Sequence, residues 1–181
     1  MHRSDLGRPG HGRLAALMIG TRRSRLTAAG VAIAALAVVI IRWQFLDVAT
    51  VSSDSMAPTV CTGDTVVIRR LDDPATVRVD DIVTFASPQD GTQTIKRVVA
   101  VAGQTVAIHD AELVVDGRTV VEPYVDHASI DGVYTATVSV PDGTVFVMGD
   151  HRETSIDSRA YGPIPTSVIN GRLLWDLPWG C

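Results

Sequence analysis

One lysine and one serine carry the chemistry this sequence offers. Lys96 is the only lysine in the chain, since 15 of the 16 basic residues are arginine. Arginine stays protonated in proteins, whereas a desolvated lysine can give up its proton. Lys96 sits in Thr94-Ile95-Lys96-Arg97-Val98-Val99, which has strand character. Alternation puts it on one face with Val98 and Ala100, and puts Ile95 and Val99 on the other. If the lysine face is buried, the ammonium is costly there, and its pKa falls from the ordinary value of about 10.4. A neutral amine can then take a proton from a serine hydroxyl. If the Ile95 face is buried instead, Lys96 is in solvent. The candidate hydroxyl is Ser55, in Ser53-Asp54-Ser55-Met56-Ala57-Pro58-Thr59, which taken alone also reads as a turn serine ahead of a proline. A third stretch, Gly149-Asp150-His151-Arg152-Glu153-Thr154-Ser155-Ile156-Asp157-Ser158-Arg159, gathers charges and hydroxyls in one segment.

In this order, the three stretches resemble the catalytic boxes of bacterial type I signal peptidases, which use a Ser-Lys dyad. The resemblance implies that Ser55 is the nucleophile and Lys96 its general base. It makes Ser53 and the Ser55 backbone N–H the oxyanion hole, and Ser155 the group that orients the lysine amine. Asp157 and Arg159 form a supporting ion pair by the same match, and Arg97 completes the Lys-Arg pair of the lysine strand. Met56 and the early apolar loops are assigned contact with substrate or lipid. Such an enzyme removes signal peptides from exported preproteins after small residues of the Ala-X-Ala type, and needs no acid partner for its base. Two departures stand out: His151 replaces the usual Asn, and Ala102-Gly103-Gln104 replaces a Pro-Gly-Asp turn. Neither removes a reacting group, and His151 reads as a supporting or surface residue. The chain lacks a long insertion between the lysine strand and the last box, so it resembles the compact members.

Something must hold this chemistry in place. Leu26 to Ile41 reads LTAAGVAIAALAVVII without a charge. Sixteen helical residues rise about 24 Å against a bilayer core of about 30 Å. Residues up to Leu46 close the gap if Arg42 snorkels and Trp43 lies at the interface. Arg22, Arg23 and Arg25 precede the run, so positive charge keeps the N-terminus cytoplasmic. The expected organisation is a basic, disordered cytoplasmic tail over 1–25, a transmembrane anchor over 26–46 and an extracytoplasmic catalytic domain over 47–181. A cleaved secretory signal shares the basic head, but Arg42, Trp43, Gln44 and Phe45 stand where small residues are needed. Met18 is an alternative start.

After the anchor, short runs rich in valine alternate with turn residues, which predicts a mainly β domain of barrel-like or sandwiched antiparallel sheets. Strands are expected at 65–70, 82–87, 94–101, 105–108, 112–115, 119–121, 133–140, 144–148 and 168–175. Asp116-Gly117 and Asp142-Gly143 each read as hairpin turns. Residues 1–46 hold seven arginines and one acid, whereas 47–181 hold nine basic and 19 acidic residues. An acidic body argues against nucleic acid as a partner. The expected partners are signal peptides and the lipid bilayer. No C-x-x-C pair or His/Cys cluster suggests a metal, and no cofactor is implied. Cys61 and Cys181 could form one disulfide outside the cytoplasm, though sequence alone does not bring them together. Two other functions fit the same residues: a specialised Ser-Lys peptidase for pilus or conjugation proteins, and an anchored β domain that only binds secreted chains. A comparison of preprotein and pilin-like substrates separates the first, and acylation of Ser55 by a mechanism-based inhibitor separates the second.

Overall fold

Valine, isoleucine and threonine dominate the segments after Leu46, and their branched side chains favour pleated strands. A computed structural model of the chain describes residues 12–73, 76–125 and 135–176, without the side chains of residues 12–26, Ile41, Trp43, Thr135, Trp175 and Asp176. It divides into two units, Met1–Trp43 and Gln44–Cys181. The first holds most of helix α1 (Gly12–Phe45), which starts well before Leu26, inside the stretch read from sequence as a tail. Its apolar residues Val31, Ile33, Leu36 and Val38 are exposed. Among the described residues, no helix is long and apolar enough to cross a membrane.

The second unit is built of antiparallel strands in two sheets. In chain order they are β1 (Leu46–Thr50), β2 (Thr65–Arg70), β3 (Ile82–Ala86), β4 (Gln93–Val101), β5 (Thr105–His109) and β6 (Glu112–Val115). There follow β7 (Arg118–Thr119), β8 (Thr135–Ser139), β9 (Thr144–Met148), a four-residue helix α2 (Ser158–Tyr161), β10 (Ile164–Pro165) and β11 (Ile169–Asp176). The larger sheet has the order β1-β2-β11-β3-β4-β9-β10, and the smaller β7-β6-β5-β8. The fold is therefore mainly β. Strand β1 begins at Leu46, which the sequence reading gave to the anchor, and the short β10 and α2 carry no period to find. The sixth expected strand, placed at 119–121, is instead Arg118–Thr119.

One expected hairpin forms and the other does not. Asp116 and Gly117 both take positive φ (51° and 74°), and Val115 pairs with Arg118 across them. That is the two-residue turn whose twist suits flanking strands. Asp142-Gly143 instead carries the chain from one sheet to the other: β8 pairs with β5, whereas β9 pairs with β4. The reason lies opposite, where Ala102-Gly103-Gln104 makes the same passage from β4 to β5. Gly103 N–H donates to the Val140 carbonyl, and Val140 N–H to the Gln104 carbonyl. Two crossing strands bend together, so the turn at Gly143 does not fold β9 back on β8.

Strand β4 serves both layers. Its register against β9 shifts between Val98 and Ala100, a bulge that turns consecutive residues to unlike surroundings. Val98 packs with Val83, Phe85, Val145 and Val147. Val99 and Ala100 pack with Val106, Leu113 and Phe146. A third cluster joins Val51, Met56, Val60, Val66, Ile68 and Ile82, and Ile95 rests on it. Both faces of β4 are thus covered, and simple alternation does not describe it. Met56 is fully buried in the third cluster, at 0% exposure. This corrects its assignment to lipid or substrate contact: the thioether fills the core beneath the serine segment.

Candidate active site

Ser55 sits on a tight loop between β1 and β2. The loop is closed by backbone bonds from Val51 N–H to the Asp64 carbonyl, Ala57 N–H to the Asp54 carbonyl and Val60 N–H to the Met56 carbonyl. Asp64 is itself buried and accepts the Cys61 N–H at 2.8 Å. The sulfur of Cys61 is held in a disulfide, whose other half lies outside the described residues. With Met56 and Val60 pinned in the core on either side of this turn, the Ser55 hydroxyl has a fixed origin.

Lys96 comes from the middle of β4. Its Nζ lies 2.7 Å from Ser55 Oγ, and the residues are 3% and 8% exposed. Burial holds the amine below the usual lysine range; Asp157 and Asp150 pull it back up, and the Arg159 guanidinium pushes it down again. A protonated lysine donates to the serine oxygen across this contact, and a neutral one accepts from the hydroxyl. The exposed Ser53 places its Oγ 3.4 Å from Ser55 Oγ.

The third stretch wraps this pair. His151 N–H donates to the Ser55 carbonyl at 3.2 Å, and Ser155 N–H to the His151 carbonyl. Ser155 Oγ is buried and has no hydrogen-bond partner among the described residues, so it does not bond the Lys96 amine here. Asp157 and Arg159 form a two-pronged ion pair, Nε to Oδ1 at 2.8 Å and Nη2 to Oδ2 at 2.9 Å. The same guanidinium donates to the Arg152 and Ser155 carbonyls, while Asp157 accepts the Gly149 N–H at 3.0 Å. Arg97 binds Asp150 through Nε at 2.9 Å and Nη2 at 2.6 Å. His151 turns its ring outward to Asp54 Oδ2, 3.5 Å away, and to Thr154 Oγ1. Among the described residues, no group of acids, histidines and cysteines could hold a metal ion.

Sequence reasoning missed one part of the scaffold. Arg97 lies over the Tyr124 ring, 3.9 Å from its centre. Tyr124 donates to Glu122, which is ion-paired with the fully buried guanidinium of Arg152. Arg152 Nε in turn donates to the Gly149 carbonyl at 3.1 Å. This chain of charges ties the segment after β7 to the loop carrying Ser155. No local pattern marks Glu122, whose partner is 30 residues away. Removing one member of such a pair strands the other charge in the interior. Glu122→Ala is therefore expected to destabilise the fold by about 3–5 kcal/mol, read by chemical denaturation.

A buried lysine thus lies against a serine hydroxyl, with two arginine–carboxylate pairs close by. Residues 24–177 match the family model described as signal peptidase, peptidase S26. The signal peptidase I V of Bacillus subtilis is 35% identical over 156 residues, spanning 79% of this chain and 92% of that protein. A probable signal peptidase I-1 of Synechocystis is 36% identical over 136 residues, spanning 69% of this chain and 67% of that one. A crystal structure of a signal peptidase I from Enterococcus faecalis aligns with a TM-score of 0.48 at 30% identity, covering 54% of this chain and 97% of that one. The chain belongs to the signal peptidase family, peptidase S26, and is a serine endopeptidase of that family.

Proposed function

We propose that this protein cleaves N-terminal signal peptides from exported preproteins, after small residues, with Ser55 as nucleophile and Lys96 as general base. The observation that carries the reading is the 2.7 Å contact between Lys96 Nζ and Ser55 Oγ in surroundings that lower the amine's pKa. Neutral Lys96 takes the Ser55 proton as Oγ attacks the scissile carbonyl, then returns it to the leaving amine. The Ser55 N–H and the Ser53 hydroxyl stabilise the oxyanion. Ser155, a buried hydroxyl with a hydrogen bond still to gain, takes hold of the amine once Ser55 is acylated. Asp157, Arg159 and Arg97 support the loop and the lysine strand.

The acyl side of the substrate has a place to lie. A cavity of about 300 Å³ runs beside the dyad, with Val51, Ser53, Val66, Ile68 and Ile95 among its lining residues. It is bounded by β1, a terminal strand of its sheet, and by the start of β4, which pairs with β3 but not with β9. An extended peptide entering there meets two free strand edges. The anchor belongs to the same proposal. The uncharged run after Arg25 holds the catalytic domain, 47–181, at the outer membrane face, with residues 1–25 in the cytoplasm. Confinement to that plane raises the effective concentration of membrane-held preproteins.

Purified protein in liposomes, given a preprotein with an Ala-X-Ala site, should release a product whose new N-terminus follows the second alanine. No cleavage by wild type, or equal cleavage by Ser55→Ala, would overturn the reading. Arg159→Gln adds a pH test. It leaves the Asp157 charge uncancelled beside Lys96, so the amine's pKa rises. The acid limb of the kcat/KM profile is expected to move to higher pH. A limb that stays in place would show that this ion pair does not tune the base.

A further inference from the structure

The cavity beside the dyad mixes polar and apolar lining, with Thr84 and Gln93 at the end away from Ser53. A second cavity of about 460 Å³ shares Ala49, Ile68, Thr84 and Gln93 with it, and continues to Asp47, Arg70 and Asn170. Gln93 Nε2 donates to Asn170 Oδ1 at 3.0 Å, and Asn170 Nδ2 donates to Gln93 Oε1 at 3.2 Å. Thr84 Oγ1 also donates to Asn170 Oδ1, at 2.7 Å. Asp47 and Arg70 form an exposed ion pair at 3.3 Å and cancel each other's charge. Gly171, next to Asn170, has no room for a side chain, since a Cβ would meet Ile68 and would lie 2.8 Å from Thr84 Oγ1. The amide pair is thereby held at a fixed depth. After these bonds each amide keeps one N–H, and Gln93 Oε1 keeps acceptor capacity.

We propose that the Gln93–Asn170 pair is a second selection point for the substrate, reading an uncharged polar side chain four to six residues before the scissile bond. This rests on the peptide-processing function proposed above. Gln93 precedes Lys96 by three residues on β4, about 10 Å of extended chain. Asp47 lies near the start of the facing strand β1, which ends at Thr50, three residues before Ser53. A peptide in the groove with its scissile carbonyl at Ser55 therefore presents its fourth to sixth upstream residues to the amides. An amide or hydroxyl side chain completes their hydrogen bonds, and an aliphatic one displaces water without replacing it.

The test is a preprotein series with Gln, Leu, Glu or Lys at each of these three positions, cleaved by the full chain in liposomes. At one position wild type should favour Gln over Leu by about threefold to tenfold in kcat/KM. Gln93 is exposed, so placing a charge of either sign there tests the contact without disturbing the core. Gln93→Glu should favour Lys over Glu at that position, Gln93→Lys should favour Glu over Lys, and the two ratios should differ by about tenfold. Cleavage with the same ratios in wild type and both variants overturns the selection point and leaves the peptidase function standing. Failure of wild type to cleave any member overturns both.

Discussion

Lys96→Arg is expected to lower preprotein cleavage by at least about a thousandfold, or about 4 kcal/mol in the barrier. The substitution keeps the positive charge and the donor capacity of the side chain. It removes only the ability to be neutral, since a guanidinium does not deprotonate in a protein. Lys96→Met should lose as much activity, because an unbranched apolar chain fits the same space but offers no base. The two variants differ in stability. Methionine suits a site that is 3% exposed, whereas arginine brings a permanent charge into it. Near-normal cleavage by the arginine variant would overturn the neutral-amine mechanism.

The direction of the Lys96 shift also sets how wild-type stability depends on pH. Burial lowers the amine's pKa in the folded chain, while the unfolded chain keeps the ordinary lysine value, about 10.4. Between the two, the unfolded state binds a proton that the folded state does not. Stability therefore falls as pH drops from the unfolded value to the folded one, and this contribution levels off below it. On the proposed mechanism, cleavage is expected to follow the same group and rise with pH through the lowered pKa. The Lys96→Met variant should lose that part of the stability slope, which denaturation at several alkaline pH values measures. On the proposed mechanism the site gives up stability near neutral pH in exchange for a usable base.

Much of the scaffold was legible because its signals are local. Runs of valine and isoleucine bounded by Gly, Asp and Pro mark β2, β3, β5, β6 and β9 without any knowledge of their partners. Asp116-Gly117 was legible for the same reason, since both residues must take positive φ. Partner choice is not local. Asp142-Gly143 has the same chemistry, yet it changes sheets because Gln104 holds the bend opposite it. Gln104 Oε1 accepts the Val101 N–H at 2.9 Å, and its Nε2 donates to Asp116. The departure from the Pro-Gly-Asp pattern thus has a structural use. Burial of Lys96 was undecidable from alternation, because the bulge after Val98 covers both faces of β4. Serine and lysine were found through their motifs, whereas Glu122 and Tyr124 had none. Their importance lies in a buried charge network assembled across long stretches of chain, which spacing does not encode.

Gly149→Ala tests how tightly that network sets the site, and it is expected to reduce kcat at least about a hundredfold. Gly149 follows the last residue of β9, where the chain turns into the third box. A Cβ placed there meets Ser155 Oγ and Cβ on one side and the Ser55 carbonyl oxygen on the other. Neither neighbour can yield alone. The Ser55 carbonyl accepts the His151 N–H, and the Ser155 carbonyl accepts from Arg159. Gly149 cannot retreat either, because its N–H is bonded to Asp157 and its carbonyl to Arg152. One methyl group must therefore push the nucleophile segment away from the loop that braces Lys96. Overpacking of this kind costs about 1–3 kcal/mol of stability, which leaves a folded protein to assay. Gly30→Ala, at a helix position with nothing within 4 Å, is the control and should leave the rate unchanged while favouring the helix by about 1 kcal/mol. Circular dichroism reports the fold, and preprotein cleavage reports the geometry. A folded Gly149→Ala protein with wild-type kcat would mean that Ser55 and Ser155 can separate without harm, and that the close approach at Gly149 is packing with no part in catalysis.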